Sequence, residues 1–329
     1  SFHKTLTPRA GGISIYLLSL TISYFISKNM FLLVLSFFPA FIYGVYEDIK
    51  GNTPQKIRLL VMAISALLAS LSTGLTIKSV GFFAIPEFMQ IPLTIFAVIG
   101  ISSALNFIDG LNGLASGVAI ITFGFIGLSA LSIGHNELFM VMFYSAFIMM
   151  GFFVFNFPFG RIFLGDAGAY FLGYLLAVSS EALVFGNSQI SPWFPAALLG
   201  YPIIETLFTI WRRYRRLKTR GIKFFKAEKV HMHSLLYLRV FKNNSLASFA
   251  ILSFFTLSGS IAYLFRTSTI ACFLLFLTEA AIYLFIYRNI VNFKLGKLVI
   301  AVTNMAKQPS PSYTEPPKLR FKDSKNISL

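Results

Sequence analysis

Apolar runs separated by short polar breaks cover most of the chain, and each run is close to the length a helix needs to cross a bilayer. Ten such stretches are read at 13–27, 31–46, 57–73, 91–107, 114–133, 138–155, 169–185, 194–211, 246–265 and 270–287. None shows the short alternation of a membrane barrel strand. Helices are therefore expected, because they satisfy every backbone N–H and C=O internally where no water is present. The pattern predicts an all-α, polytopic transmembrane helical bundle of about ten spans. Pro39 and Pro202 fall inside predicted spans and are expected to kink them.

The polar breaks carry the charge asymmetrically. If residues 1–12 are cytoplasmic, the inner segments are 1–12, 47–56, 108–113, 156–168, 212–245 and the tail after 287. The outer segments then hold only Lys28, Lys78 and Arg266 of the 28 basic residues. Positive charge retained on the cytoplasmic side sets this orientation. It also accounts for the net charge of +16 without nucleic acid. Only 12% of residues are charged, about half of what a soluble domain carries. The organisation expected is one membrane domain, 1–287, with a cytoplasmic loop at 212–245, and a cytoplasmic tail at 288–329. The loop opens on the basic run WRRYRRLKTR, which reads first as a topology anchor near anionic lipid. The lone Cys272 excludes an internal disulfide and a cysteine-rich metal site.

With twelve acidic residues in 329, their placement is informative. Glu47 and Asp48 stand in VYEDIKG, Asp109 in NFIDGLNG and Asp166 in RIFLGDAG, each directly after an apolar helix and next to glycine. The span count brings all three to the same membrane face. Carboxylates gathered there suit a hard cation such as Mg²⁺, whose shell substrate phosphates and water can complete. Asn106 and Asp109 would share a face if their helix continued. The next helix is read from about Ala169, so its N-terminus could favour phosphate. An Asp-Gly pair by itself is usually only a turn, and an acidic pair often only caps a helix. His231 and His233, in KVHMHSLL, lack a third zinc ligand nearby and fit a phosphate contact better, beside Lys226, Lys229 and Arg239. Glu181, Glu205 and Glu279 lie within spans, where ionisable groups are functional candidates. Glu205 reads as a supporting residue on the inward half of its helix, and Glu279 as an interhelical hydrogen-bonding group.

TPRAGG, YEDIKG, NFIDGLNGLASG, GRIFLGDAGAYFLG and HMHSLL occur in the order found in the polyprenyl-phosphate N-acetylhexosamine-1-phosphate transferases, and the chain resembles that superfamily from about Thr7 to Arg239. It includes the enzymes that start O-antigen, enterobacterial common antigen and teichoic-acid linkage synthesis, and the phospho-MurNAc-pentapeptide translocase. The resemblance implies transfer of an amino-sugar-1-phosphate from a UDP-N-acetyl amino sugar to undecaprenyl phosphate at the bacterial inner membrane, with release of UMP and dependence on Mg²⁺ or Mn²⁺. It implies that Asp166 and Asn106 hold the metal, that Asp48, Asp109 and Glu47 belong to the catalytic acids, and that His231, His233 and Arg9 contact substrate. It also implies a further helix before TPRAGG, about eleven in the whole protein, and leaves a homodimer open. Three positions depart from the family pattern: Glu47 for Asp, Asn112 for the second Asp of DG-x-DG, and Ser234 for a third histidine. These departures place the chain nearer the O-antigen initiators. Two other readings stay open, a transporter with its acids on a transport path and a non-catalytic polyprenyl-phosphate-binding relative.

Overall fold

A computed structural model describes residues 7–51, 53–186, 189–220 and 230–291. In chain order the helices are α1 (Gly11–Ile26), α2 (Lys28–Leu35), α3 (Phe38–Lys50), α4 (Gln55–Thr73), α5 (Glu87–Ile108), α6 (Leu114–Ser132), α7 (Asn136–Asn156), α8 (Gly165–Phe185), α9 (Phe194–Leu198), α10 (Gly200–Arg220), α11 (Met232–Leu235), α12 (Asn244–Leu264) and α13 (Thr269–Val291). A π-helical turn, Leu236–Phe241, follows α11. All ten predicted stretches are helical. Among the described residues, eight helices are long and apolar enough to cross a membrane, α2 and α3 counting as one. Of the remaining two stretches, α1 is shorter, with 16 residues, and α9 and α10 share the other. Most of the expected tail, and Lys226 and Lys229, lie outside the described residues.

Both proline expectations hold. The helix of residues 28–50 breaks at Ser36–Phe37, just before Pro39, and the helix of 194–220 breaks at Leu199, just before Pro202. Proline has no N–H to give, and its ring crowds the preceding turn. At the first break the Phe37 N–H turns back to the Val34 carbonyl at 3.2 Å. The Leu33 carbonyl accepts the Tyr174 hydroxyl at 2.8 Å instead. The lost intrahelical bond is thus replaced by one that ties α2 to α8.

At the centre stands α8, in which every residue from Ala167 to Val184 is buried. Its small residues let neighbouring backbones come close: a side chain at Gly168 would collide with Gly12 of α1, and one at Gly173 with Ser102 of α5. Close backbone approach replaces the hydrophobic effect as the source of cohesion where lipid tails surround the bundle. Tyr16 of α1 stacks on Phe41 of α3 at 4.2 Å and meets Phe171 of α8 edge-on at 5.1 Å, locking the three helices. Such ring pairs add about 0.5–1.5 kcal/mol each beyond their area. α6 is also buried all round from Leu114 to Ala119, while the other long helices leave large apolar side chains such as Leu17, Phe96 and Phe147 exposed, as a lipid-facing surface requires. Ser258 of α12 donates to the Glu279 carboxylate of α13, the interhelical bond expected there.

Candidate active site

One end of the bundle collects the ends of α3, α5 and α7 and the starts of α1, α6 and α8. Residues 8–12 are tied to residues 163–164 by backbone bonds: Phe163 N–H donates to the Pro8 carbonyl at 2.9 Å, Gly11 N–H to the Phe163 carbonyl at 3.2 Å and Gly12 N–H to the Leu164 carbonyl at 2.9 Å. This pairing delivers Arg9 next to Gly165 and Asp166. Arg9, Asn106, Asp109 and Asp166 all line one cavity of about 320 Å³.

Asp166 lies in the first turn of α8, which starts at Gly165 and not near Ala169. The helix begins early because Asp48 caps it from α3, its Oδ1 accepting the Asp166 N–H at 2.8 Å and its Oδ2 the Ala167 N–H at 3.1 Å. Gly165 makes this possible. Its φ of +76° lies in the left-handed region, and a Cβ there would sit 2.6 Å from Asp48 Oδ2. The Asn106 side-chain N–H donates to Asp166 Oδ1 at 2.8 Å. The helix carrying Asn106 stops at Ile108, so Asp109 is not on its continued face; it caps α5 at ψ 50° and reaches the cavity from there. Removal from water pushes the Asp109 carboxyl up to about 7, helped by the negative charges of Asp166 and Asp48 and opposed by Arg9.

Neither Asp48 nor Glu47 lines the cavity. Glu47 is buried and pairs with Arg58 of α4 at 3.2 Å, the guanidinium lying 5.3 Å over the Tyr170 ring. The two histidines come in beneath the DG turn. His231 and His233 stack in parallel, 5.4 Å apart and 7° from coplanar, and a Cβ on Gly110 would lie 2.6 Å from His233 Nε2. Burial pushes the His233 imidazole down to about 4, so the ring is neutral near pH 7. Arg239, expected near the pair, donates instead to the Ile290 and Val291 carbonyls at the end of α13, at 3.1 and 3.0 Å.

Two amides escape a motif-based reading. Asn156, at the end of α7, lines the cavity, accepts the Gly113 N–H at 2.6 Å and donates to the Ile162 carbonyl at 2.8 Å. Asn244 accepts the Asn112 N–H at 2.8 Å, while Asn112 itself donates to the Pro158 carbonyl at 2.9 Å. The only sequence signal for Asn156 is a polar residue closing an apolar run.

A cation fits this donor set. Among the described residues no three His, Cys, Asp or Glu side chains cluster as a complete metal site. Asp166 and the Asn106 amide oxygen nevertheless offer hard oxygen ligands beside Asp109, and Mg²⁺ usually takes one or two carboxylates and fills its shell from phosphate and water.

Comparison with known proteins bears on the same segments. Glycosyl transferase family 4 matches residues 30–183. A probable undecaprenyl-phosphate N-acetylglucosaminyl 1-phosphate transferase of Bacillus subtilis is 30% identical over 71% of this chain and 66% of its own length. An undecaprenyl-phosphate alpha-N-acetylglucosaminyl 1-phosphate transferase of Thermotoga maritima is 29% identical over 83% of this chain and 84% of its own. A phospho-N-acetylmuramoyl-pentapeptide-transferase of Halalkalibacterium halodurans is 30% identical over 70% of this chain and 75% of its own. A helical bundle with acids gathered at one end and relatives at this identity and coverage lead to one assignment: the chain belongs to glycosyl transferase family 4, within the polyprenyl-phosphate N-acetylhexosamine-1-phosphate transferase superfamily.

Proposed function

We propose that this protein transfers an N-acetylated amino-sugar-1-phosphate from a UDP-sugar to undecaprenyl phosphate, releasing UMP, as the first step of a bacterial surface polysaccharide. The observation that carries the reading is the meeting of Arg9, Asn106, Asp109 and Asp166 in one cavity at one end of the membrane bundle. A water-soluble nucleotide and a lipid-tailed phosphate can reach a common site only at such an interface. The basic loops favour a cytoplasmic mouth on the inner membrane.

In the reaction an oxygen of the lipid phosphate forms a bond to the phosphorus that bears the sugar. The bond from that phosphorus to the bridging oxygen breaks, and its electron pair leaves with UMP. A phosphate monoester has its second pKa near 6, so the attacking oxygen is already anionic near pH 7 and needs no strong base. The work left to the protein is alignment and charge neutralisation. Arg9 supplies a fixed positive charge at the cavity for the diphosphate. Asp166 and Asn106 are the residues that would hold Mg²⁺ or Mn²⁺, which when bound offsets charge on the diphosphate and the departing UMP. Asp48 keeps Asp166 in place through the backbone, and Asp109 borders the nucleotide end of the cavity. His231 and His233 contact phosphate or sugar.

The purified protein in nanodiscs with undecaprenyl phosphate and Mg²⁺ is expected to release UMP from at least one UDP-N-acetyl amino sugar, UDP-GlcNAc being the first to try. Uptake of substrate into vesicles with no UMP formed would instead establish a transporter.

A further inference from the structure

Glu205 of α10 is fully buried, and both its oxygens are occupied. Its Oε2 accepts the Met232 N–H at 3.0 Å and the Tyr283 hydroxyl of α13 at 2.9 Å. Its Oε1 lies 2.9 Å from His231 Nδ1, and the Thr209 hydroxyl donates to the same oxygen at 3.3 Å. Holding α11 against α10 and α13 requires only the first oxygen. A neutral acceptor would do that without the several kcal/mol it costs to bury a carboxylate. The second oxygen serves the histidine. A carboxylate against one imidazole nitrogen fixes where the ring proton sits and how the ring is turned.

The ring so held is next to the transfer site. His231 is flanked by the Phe107 ring at 6.1 Å and by His233 at 5.4 Å, and His233 abuts Gly110 of the cavity wall. With Nδ1 engaged, Nε2 is the nitrogen of His231 that has no partner among the described residues.

We propose that Glu205 is a positioning residue for the transfer reaction: it takes the Nδ1 proton of His231 in a hydrogen bond and so presents Nε2 as an acceptor to a hydroxyl or the N-acetyl N–H of the bound sugar. This rests on the reaction assigned above. Glu205 touches no substrate and acts only through the histidine.

The test is a double-mutant cycle on the full chain in nanodiscs, with a donor the unaltered protein uses. Glu205→Gln is expected to lower kcat roughly 10- to 100-fold, the size usual for partners that orient a working histidine, with the donor KM within about twofold. His231→Gln should cost as much, and the double variant no more than His231→Gln alone. Losses that multiply in the double variant, or full activity in Glu205→Gln, overturn the proposal. A second measurement does not depend on turnover or on the variant at Glu205 folding. In ¹⁵N-histidine spectra of the unaltered protein, the resonance that disappears in His231→Gln should show the proton on Nδ1. A ring protonated on Nε2 alone overturns the proposal. No UMP from any UDP-amino sugar, together with a Nδ1-protonated His231, would sink the assigned reaction and leave the pairing standing.

Discussion

Asp48 on α3 holds the first turn of α8, its two oxygens accepting the backbone N–H groups of Asp166 and Ala167 at 2.8 and 3.1 Å. The first N–H groups of a helix have no partner within it, and here the cap comes from a residue 118 positions away. The geometry of Asp166 thus depends on an acid that reads from the sequence as a catalytic group.

Asp48→Asn follows directly from this. The amide keeps the size but turns an N–H toward one of the backbone N–H groups, leaving that donor unmet at about 1–3 kcal/mol. Both the thermal midpoint in detergent and UMP release are expected to fall. Lost activity with an unchanged midpoint would show that the carboxylate acts on the chemistry and not on α8.

Asp166→Asn should behave in the opposite way. The bonds to Asp48 run through the backbone N–H groups of Asp166 and Ala167, which the substitution leaves alone, so the midpoint should hold. The carboxylate beside Asn106 is lost, and turnover is expected to drop by at least about 10²-fold, as when a group stabilising transition-state charge is removed. Undiminished UMP release at saturating Mg²⁺ would refute the role given to Asp166.

Asn112 stands where the family pattern has an acid. The structure argues that restoring Asp there is a loss. The Asn112 side chain donates to the Pro158 carbonyl at 2.9 Å, and a carboxylate would set two acceptors against each other in a buried place. Asn112→Asp is expected to lower the thermal midpoint and to cut activity severalfold, and Asn112→Ala to be milder because it leaves no buried charge. A gain of activity in Asn112→Asp would mean that the amide is no structural substitute.

Much of this was legible beforehand, for physical reasons. The apolar runs mark the helices because the bilayer leaves the backbone no other economical conformation. The acid–glycine motifs mark the site because charge is rare in such a chain. What escaped depends on contacts between distant segments. The start of α8 is set by Asp48, on a helix distant in the chain. Glu47 reads as half of an acidic pair beside Asp48, yet one residue's rotation along α3 turns it to Arg58 while Asp48 caps α8. Asn156 and Asn244 carry no motif at all, because their partners are backbone groups of other loops. Pro39 and Pro202 kink their helices as expected, since a proline's effect is local.

The acid limb of the stability profile should carry the mark of His233. Its imidazole is held near 4 by burial, while in the unfolded chain a histidine titrates near 6.5. The unfolded state therefore takes the proton first as pH falls. The contribution of this residue to stability is complete above about pH 6.5 and is lost progressively down to about pH 4, where the loss is on the order of 3 kcal/mol. His233→Asn removes the titrating group, so its thermal midpoint, lower than the parent's at pH 8, should approach or cross it by pH 4.5. Midpoints that run parallel across this range would mean that His233 is charged within the fold, and the close seat against Gly110 would then need another account.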